Sequence, residues 1–127
     1  MGNKKNKEKK PEIVYDEWLY MNEKEITAVQ ISKALENSNL EIDLWDQLGV
    51  VSIKLLDNTY LDMEEIENDL GDEESNKFVE NHNIKSIFTT KMVHESFENA
   101  KKVMMLITKE LGGFFCMDND DFSPVVK

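Results

Sequence analysis

Residues 97–111 carry apolar side chains at Phe97, Ala100, Met104, Ile107 and Leu111, at intervals of 3, 4, 3 and 4, with Val103 beside them. That rhythm lays one apolar stripe along a helix, because residues three and four apart share a side of a 3.6-residue turn. Glu95, Glu98, Asn99, Lys101, Lys102, Lys109 and Glu110 fall largely on the wet side. Gly112-Gly113 comes next and can take the left-handed backbone that closes a helix. Phe114 to Met117 is then an unbroken apolar run, the pattern of a buried strand. An amphipathic helix tied through two glycines to a buried strand restricts the architecture to folds that mix helix with sheet.

The same reading applies to the rest of the chain. Residues 1–11, with five lysines and one glutamate in the first ten positions, read as a disordered basic tail ending at Pro11. Residues 12–127 read as a single domain. Residues 12–21, EIVYDEWLYM, suit a first strand or the lead-in to a helix, and Asn22 is a candidate N-cap. Ala28, Ile31 and Leu35 then support a helix to about Asn37. For 40–48, LEIDLWDQL, the spacing of Ile42, Trp45 and Leu48 before Gly49 favours a helical turn over the strand that Leu40, Ile42 and Leu44 would also allow.

Val51, Ile53 and Leu55 alternate as a strand, Asp57-Asn58 marks a turn, and Thr59 to Met63 returns as a second strand. An odd-length loop, pairing Leu55 with Leu61 and Ile53 with Met63, keeps one face apolar. Asp72 to Glu74 opens a helix to about Asn81, and 84–90 is a β-rich strand. Pro124 fits an edge strand or tail. The expected fold is α+β: a mainly antiparallel sheet of about four strands, with about three helices packed on one face in a two-layer sandwich.

Charge decides which functions remain. The chain is −11 overall; the first ten residues are +4, so residues 11–127 are −15. All fifteen basic residues are lysine, which removes the planar guanidinium fork that recognises phosphate in two-point fashion. Such a body repels nucleic acid and anionic membrane and attracts a basic protein. No apolar run approaches the ~18 residues of a membrane span, and the charged N-terminus lacks the apolar segment of a secretory signal. A single cysteine, Cys116, points to a reducing cytoplasm.

No phosphate loop, dinucleotide-binding glycine motif, nucleophile elbow or zinc-binding spacing occurs. DNDD at 118–121 fails as a calcium loop, because Ser123 stands where the sixth position needs glycine. Cys116, inside FFCM, reads as a packed thiol. His82 and His94 read as surface or capping residues, Asp121 as a backbone cap, and Phe122 as a return to the core. No cofactor or metal is expected, and no catalytic residue.

Two features remain. Residues 62–74 hold eight acids in thirteen positions, and Trp45 is flanked by Asp43 and Asp46. Aromatic anchors ringed by charge suit a protein interface. The expected partner-binding residues are therefore Glu64, Glu65, Glu67, Asp69, Asp72, Glu73, Glu74, Asp118, Asp120 and Trp45. The leading expectation is a non-enzymatic acidic protein that binds a basic protein partner stoichiometrically. Its most concrete form is an immunity- or antitoxin-type inhibitor that covers the positive site of a toxin. The alternative is a regulatory or small-ligand-binding domain whose acidity serves solubility alone.

Overall fold

The computed structural model describes residues 14–127. It contains seven strands: β1 Glu17–Asn22, β2 Ile42–Trp45, β3 Val50–Lys54, β4 Tyr60–Ile66, β5 Ser86–Lys91, β6 Phe114–Met117 and β7 Val125–Val126. Three helices accompany them: α1 Ala28–Ala34, α2 Glu73–Asn81 and α3 Phe97–Leu111. The strands form one sheet in the order β2-β3-β4-β5-β1-β6-β7, and every neighbouring pair is antiparallel. The α+β class holds, while the strand count rises from about four to seven. The expectation of a basic tail over 1–11 lies outside the described residues.

The WLYM run explains why β1 sits between β5 and β6. Trp18, Leu19, Tyr20 and Met21 are all buried, and successive strand residues point to opposite faces. Only a strand covered on both sides can bury four in a row. Trp18 and Tyr20 join the core built with Ala28, Ile31 and Leu35 near α1 and with Ala100, Val103, Met104 and Ile107 of α3. Leu19 and Met21 join a second core with Ile87, Cys116, Phe122 and Val79 of α2. The sandwich with helices on one face is thus corrected: α1 and α3 cover one face, and α2 covers part of the other. Each fully buried Ile or Met on the α3 stripe contributes about 1.5–3 kcal/mol by leaving water.

Several local features differ from the sequence reading. Asn22 ends β1 instead of capping a helix. The cap of α1 is Thr27, whose Oγ1 accepts from Gln30 N at 3.3 Å while Gln30 Oε1 accepts from Thr27 N at 2.9 Å. This reciprocal Thr-x-x-Gln pair satisfies two helix-end donors at once. Residues 42–45 form β2, and the helical turn is confined to a short 3-10 segment, Asp46–Leu48, closed by Gly49 at φ +65. Pairing with β3 outweighs the local helical spacing. The β3–β4 loop is odd, as expected, but the pairs are Ile53 with Leu61 and Val51 with Met63. Asn58 adopts φ +67, so three residues suffice to join Leu55 to Thr59, whose backbones bond at 2.7 Å.

That loop is pinned by one carboxylate. Asp57 accepts from Thr59 Oγ1 at 2.7 Å and from Ser96 Oγ at 2.5 Å, tying the turn to the start of α3. The Ser96 and Thr59 hydroxyls lower its pKa from 3.8 to about 2. A carboxyl group depressed on folding stabilises above its unfolded pKa, and that contribution disappears as pH falls through the folded value. Acid unfolding followed by circular dichroism should therefore have a component between about pH 4 and 2 that Asp57→Asn removes.

The end of α3 is held by the central strand. Tyr20 Oη donates to Gly112 O at 2.7 Å, and Asn22 Nδ2 donates to Leu111 O at 3.1 Å. Burial raises the Tyr20 pKa, which keeps the phenol a donor. Gly113, at φ +75, passes so close that a Cβ there would meet Met21 O and lie 2.9 Å from Asn22 Nδ2. Gly71, at φ +93, faces open space. Gly113→Ala should cost about 3 kcal/mol in urea unfolding, through strain plus collision, whereas Gly71→Ala should cost about 1 kcal/mol from strain alone.

Candidate functional site

Strand alternation assembles the candidate site from the sheet outward. On the face turned away from α1 and α3, registered partners form rows that cross β2, β3, β4 and β5. Trp45, Val50, Glu64 and Thr89 make one row; Asp43, Ser52, Asp62 and Lys91 make the next; Lys54 and Tyr60 make a third. The second core covers this face only around β5, β1 and β6. The β2–β4 half stays open, with Trp45 47% and Tyr60 43% exposed. Ser52 donates to Asp62, and Lys54 meets Glu41 at 3.6 Å.

A cleft adjoins the open half. Its floor includes Leu19 and Thr89, the latter opposite Glu64 in the ladder. One wall carries Asp69, Asp72 and Glu74, from the loop after β4 and the start of α2. The other carries Asp118, Asp120 and Asp121, from the turn after β6. Two connected hollows of about 510 and 390 Å³ share Asp72, Ser75, Asp120 and Phe122. Phe78 and Phe122 join the walls, with ring centroids 4.3 Å apart. Acids that lie almost fifty positions apart in the chain thus line one surface.

The walls have local causes. Asp72 caps α2 by accepting from Ser75 N at 3.0 Å, and Glu73 and Glu74 occupy the positive end of that helix. Asp69 accepts from Gly71 N and from Asn76 Nδ2, each at 2.9 Å. These bonds hold the carboxyl groups of Asp69 and Asp72 below the ordinary carboxylate pKa. In the 118–122 turn the backbone cap is Asn119, not Asp121: Asn119 Oδ1 accepts from Asp121 N at 3.1 Å and Ser123 N at 3.3 Å. The Asp121 side chain faces the cleft instead. Phe122 returns to the core as expected, at φ +51.

The structure brings Asp69, Asp72, Glu74, Asp118 and Asp120 of the expected residues to one cleft, while Glu64, opposite Thr89, and Trp45, two strands further out, lie on the adjoining sheet face. Glu73 is exposed in the first turn of α2 without lining the cleft. Glu65 and Glu67 belong elsewhere. Consecutive strand residues face opposite ways, so Glu65 lies against Gly49, where a Cβ would come within 3.1 Å of its own. Glu65 and Glu67 line a separate open hollow with Asp46, Leu48 and Lys85. Asp43, Tyr60, Asp62 and Asp121 were not among the expected residues. The alternation Tyr60-Leu61-Asp62-Met63 carries the signal for two of them.

Of the two tryptophans, only Trp45 is available; Trp18 is buried. Cys116 is buried and apart from the histidines: His94 stacks on Tyr15 and His82 on Phe78. No group of three or more His, Cys, Asp or Glu with metal-binding geometry occurs among the described residues. No helix among them is long and apolar enough to cross a membrane. Burial, aided by the Asp118 charge, pushes the Cys116 thiol up to about 12. Native protein at pH 8 should therefore resist iodoacetamide for hours, and should react within minutes in denaturant; rapid native alkylation would contradict this burial.

No family model, no curated protein and no solved structure matches this chain.

Proposed function

We propose that this protein is a non-enzymatic acidic binding protein that associates stoichiometrically with a basic protein partner through the open sheet face and the adjoining cleft. The observation that carries this reading is the convergence of Asp69, Asp72 and Glu74 with Asp118, Asp120 and Asp121 around one cleft that adjoins the sheet face carrying Glu64 and exposed Trp45. Trp45 and Tyr60 supply rigid apolar area at separate points of the face, and half-buried Val50, paired with Trp45, extends the first.

The acids contribute chiefly to association rate and partner choice. Carboxylates that are individually solvated add little affinity, but a patch of one sign steers a positive partner toward the face. The most concrete form of the proposal is an immunity- or antitoxin-type inhibitor. A toxin that holds phosphates must present a positive site, and an acidic face with aromatic anchors can cover such a site. An absence of arginine suits this role, since lysines leave the surrounding body without guanidinium forks that would capture phosphate themselves.

The test is capture of a basic partner from the source lysate at low and high salt, followed by kinetics on the purified pair. Glu64→Lys, Glu74→Lys and Asp120→Lys together should slow association at least about tenfold and flatten its salt dependence, leaving the thermal midpoint within a few degrees. Glu65→Lys with Glu67→Lys, in the separate hollow, should act far more weakly. Trp45→Ala should raise the dissociation rate, at a cost of about 2 kcal/mol in affinity. Unchanged kinetics in the triple variant would exclude this face as the contact surface.

A further inference from the structure

β2 is a free edge of the sheet, and its register with β3 fixes what that edge offers. Lys54 N donates to Glu41 O at 2.9 Å, so Glu41, Asp43 and Trp45 turn their main-chain groups toward β3, in the alternation of an antiparallel pair. The β3–β4 ladder agrees in phase. Glu65 N donates to Gly49 O at 2.8 Å, so the odd-numbered residues of β3 bond β4 and leave the even-numbered ones for β2. The N–H and C=O groups of Ile42 and Leu44 therefore point off the sheet, and no main-chain group among the described residues meets them. From Glu41 to Leu48 every residue is exposed except half-buried Ile42.

Main-chain groups on a sheet edge are a template for another strand, and proteins guard such edges with proline, bulges, lysine or a covering element. β7, at the other edge, is two residues long and follows Pro124, which has no N–H. β2 has no proline and no bulge: residues 42–45 pair one to one with 50–53, and Leu44 and Trp45 are 38% and 47% exposed. Its one charged residue is Asp43. Lys54 engages Glu41 at 3.6 Å, but no lysine meets Asp43 among the described residues. An acid in that position favours a strand that brings a cation and disfavours one that brings a carboxylate. A second copy of this chain is disfavoured for the same reason. Two-fold pairing centred on Asp43 sets two carboxylates side by side, and any two-fold pairing brings together two bodies of −15.

We infer that β2 is a docking edge, on which an extended lysine-bearing segment of the basic partner adds antiparallel as an eighth strand. The inference rests on the partner-binding reading and gives it a mode of contact. Ile42 and Leu44 each exchange two main-chain bonds with the residue opposite. Residues opposite Glu41, Asp43 and Trp45 fall on the open face. A lysine opposite Asp43 meets its carboxylate, and a lysine opposite Trp45 lays its stem and charge on the indole. Residues opposite Ile42 and Leu44 fall on the side of α1, where Ile42 already packs on the core and an aliphatic side chain extends it. The segment that fits therefore alternates lysine with an aliphatic residue.

The probe is the acetylated and amidated peptide Lys-Val-Lys-Val-Lys-Val-Lys, titrated into the full-length 15N-labelled protein. Before peptide is added, the Ile42 and Leu44 amides should exchange with solvent faster than those of Asp43 and Trp45. Peptide should shift the Ile42 and Leu44 resonances and slow their exchange at least about tenfold. Main-chain N-methylation of the valines, whose N–H groups face β2, should weaken binding at least about tenfold; N-methylation of the lysines, whose N–H groups face away, should leave it nearly unchanged. Glutamate in place of lysine should abolish binding. Asp43→Lys, at an exposed position, should weaken the lysine peptide about tenfold and leave the amide spectrum dispersed. Valine-methylated peptide that binds as tightly overturns the edge and leaves the basic-partner reading standing, as do shifts at Asp72 and Asp120 in place of Ile42 and Leu44. No shift in millimolar peptide overturns the edge too, while lysate capture still decides the partner reading by itself. Equal binding of the glutamate peptide overturns the choice of a basic strand and counts against that reading. Protection of Ile42 and Leu44 that rises with protein concentration alone would put a second copy on the edge, and overturns the proposed occupant.

Discussion

The structure depends on the clamp between the central strand and the exit of the last helix. Tyr20 and Asn22, both buried on β1, donate to carbonyls at the end of α3, where a helix leaves acceptors without partners. Asn22 Nδ2 also donates to Tyr20 Oη at 2.8 Å, so one small polar network closes the helix from below. Gly112 and Gly113, both at positive φ, let the chain turn directly from that clamp into β6 beside β1. The clamp sets where α3 lies on the first face and where β6 enters the sheet beside β1. A buried network of this kind is stabilising only when every member is paired.

From that frame follows the unequal treatment of the two sheet faces. The first face is closed by α1 and α3. On the second, α2 and the returning Phe122 cover the β5-β1-β6 region and stop, leaving the β2–β4 half in water. The edge of this partial cover is where the acidic walls stand. Asp72 ends the loop by capping α2, and the 118–122 turn folds back through Asn119, so structural bonds at each end aim the remaining carboxylates at one cleft. Scaffold and proposed binding surface share residues, so the carboxylates of that surface are held in place by the fold.

Much of this was legible beforehand because it rests on local periodicity. The α3 stripe, the Val51-Ile53-Leu55 alternation and the helix start at Asp72 are set by side chains a few positions apart. Other features escaped because they depend on distant contacts. Asn22 looks like a helix cap in isolation and becomes a strand end once Leu111 is beside it. Residues 42–45 have a helical spacing that gives way to partners five to eleven residues away on β3. Trp18 and Trp45 stand in similar acidic contexts, yet one is core and the other surface, because one strand is central and the other lies at the sheet edge.

The sequence by itself determined the class of fold, the strongly acidic body and the absence of any local catalytic motif, since composition and short-range pattern suffice for these. Tertiary structure alone decided which acids share one surface. It separated Glu64 from Glu65 through the two-residue period of a strand, and joined Asp72 to Asp120 across almost fifty positions. A charge acts through space, and only the packed sheet defines which charges share it.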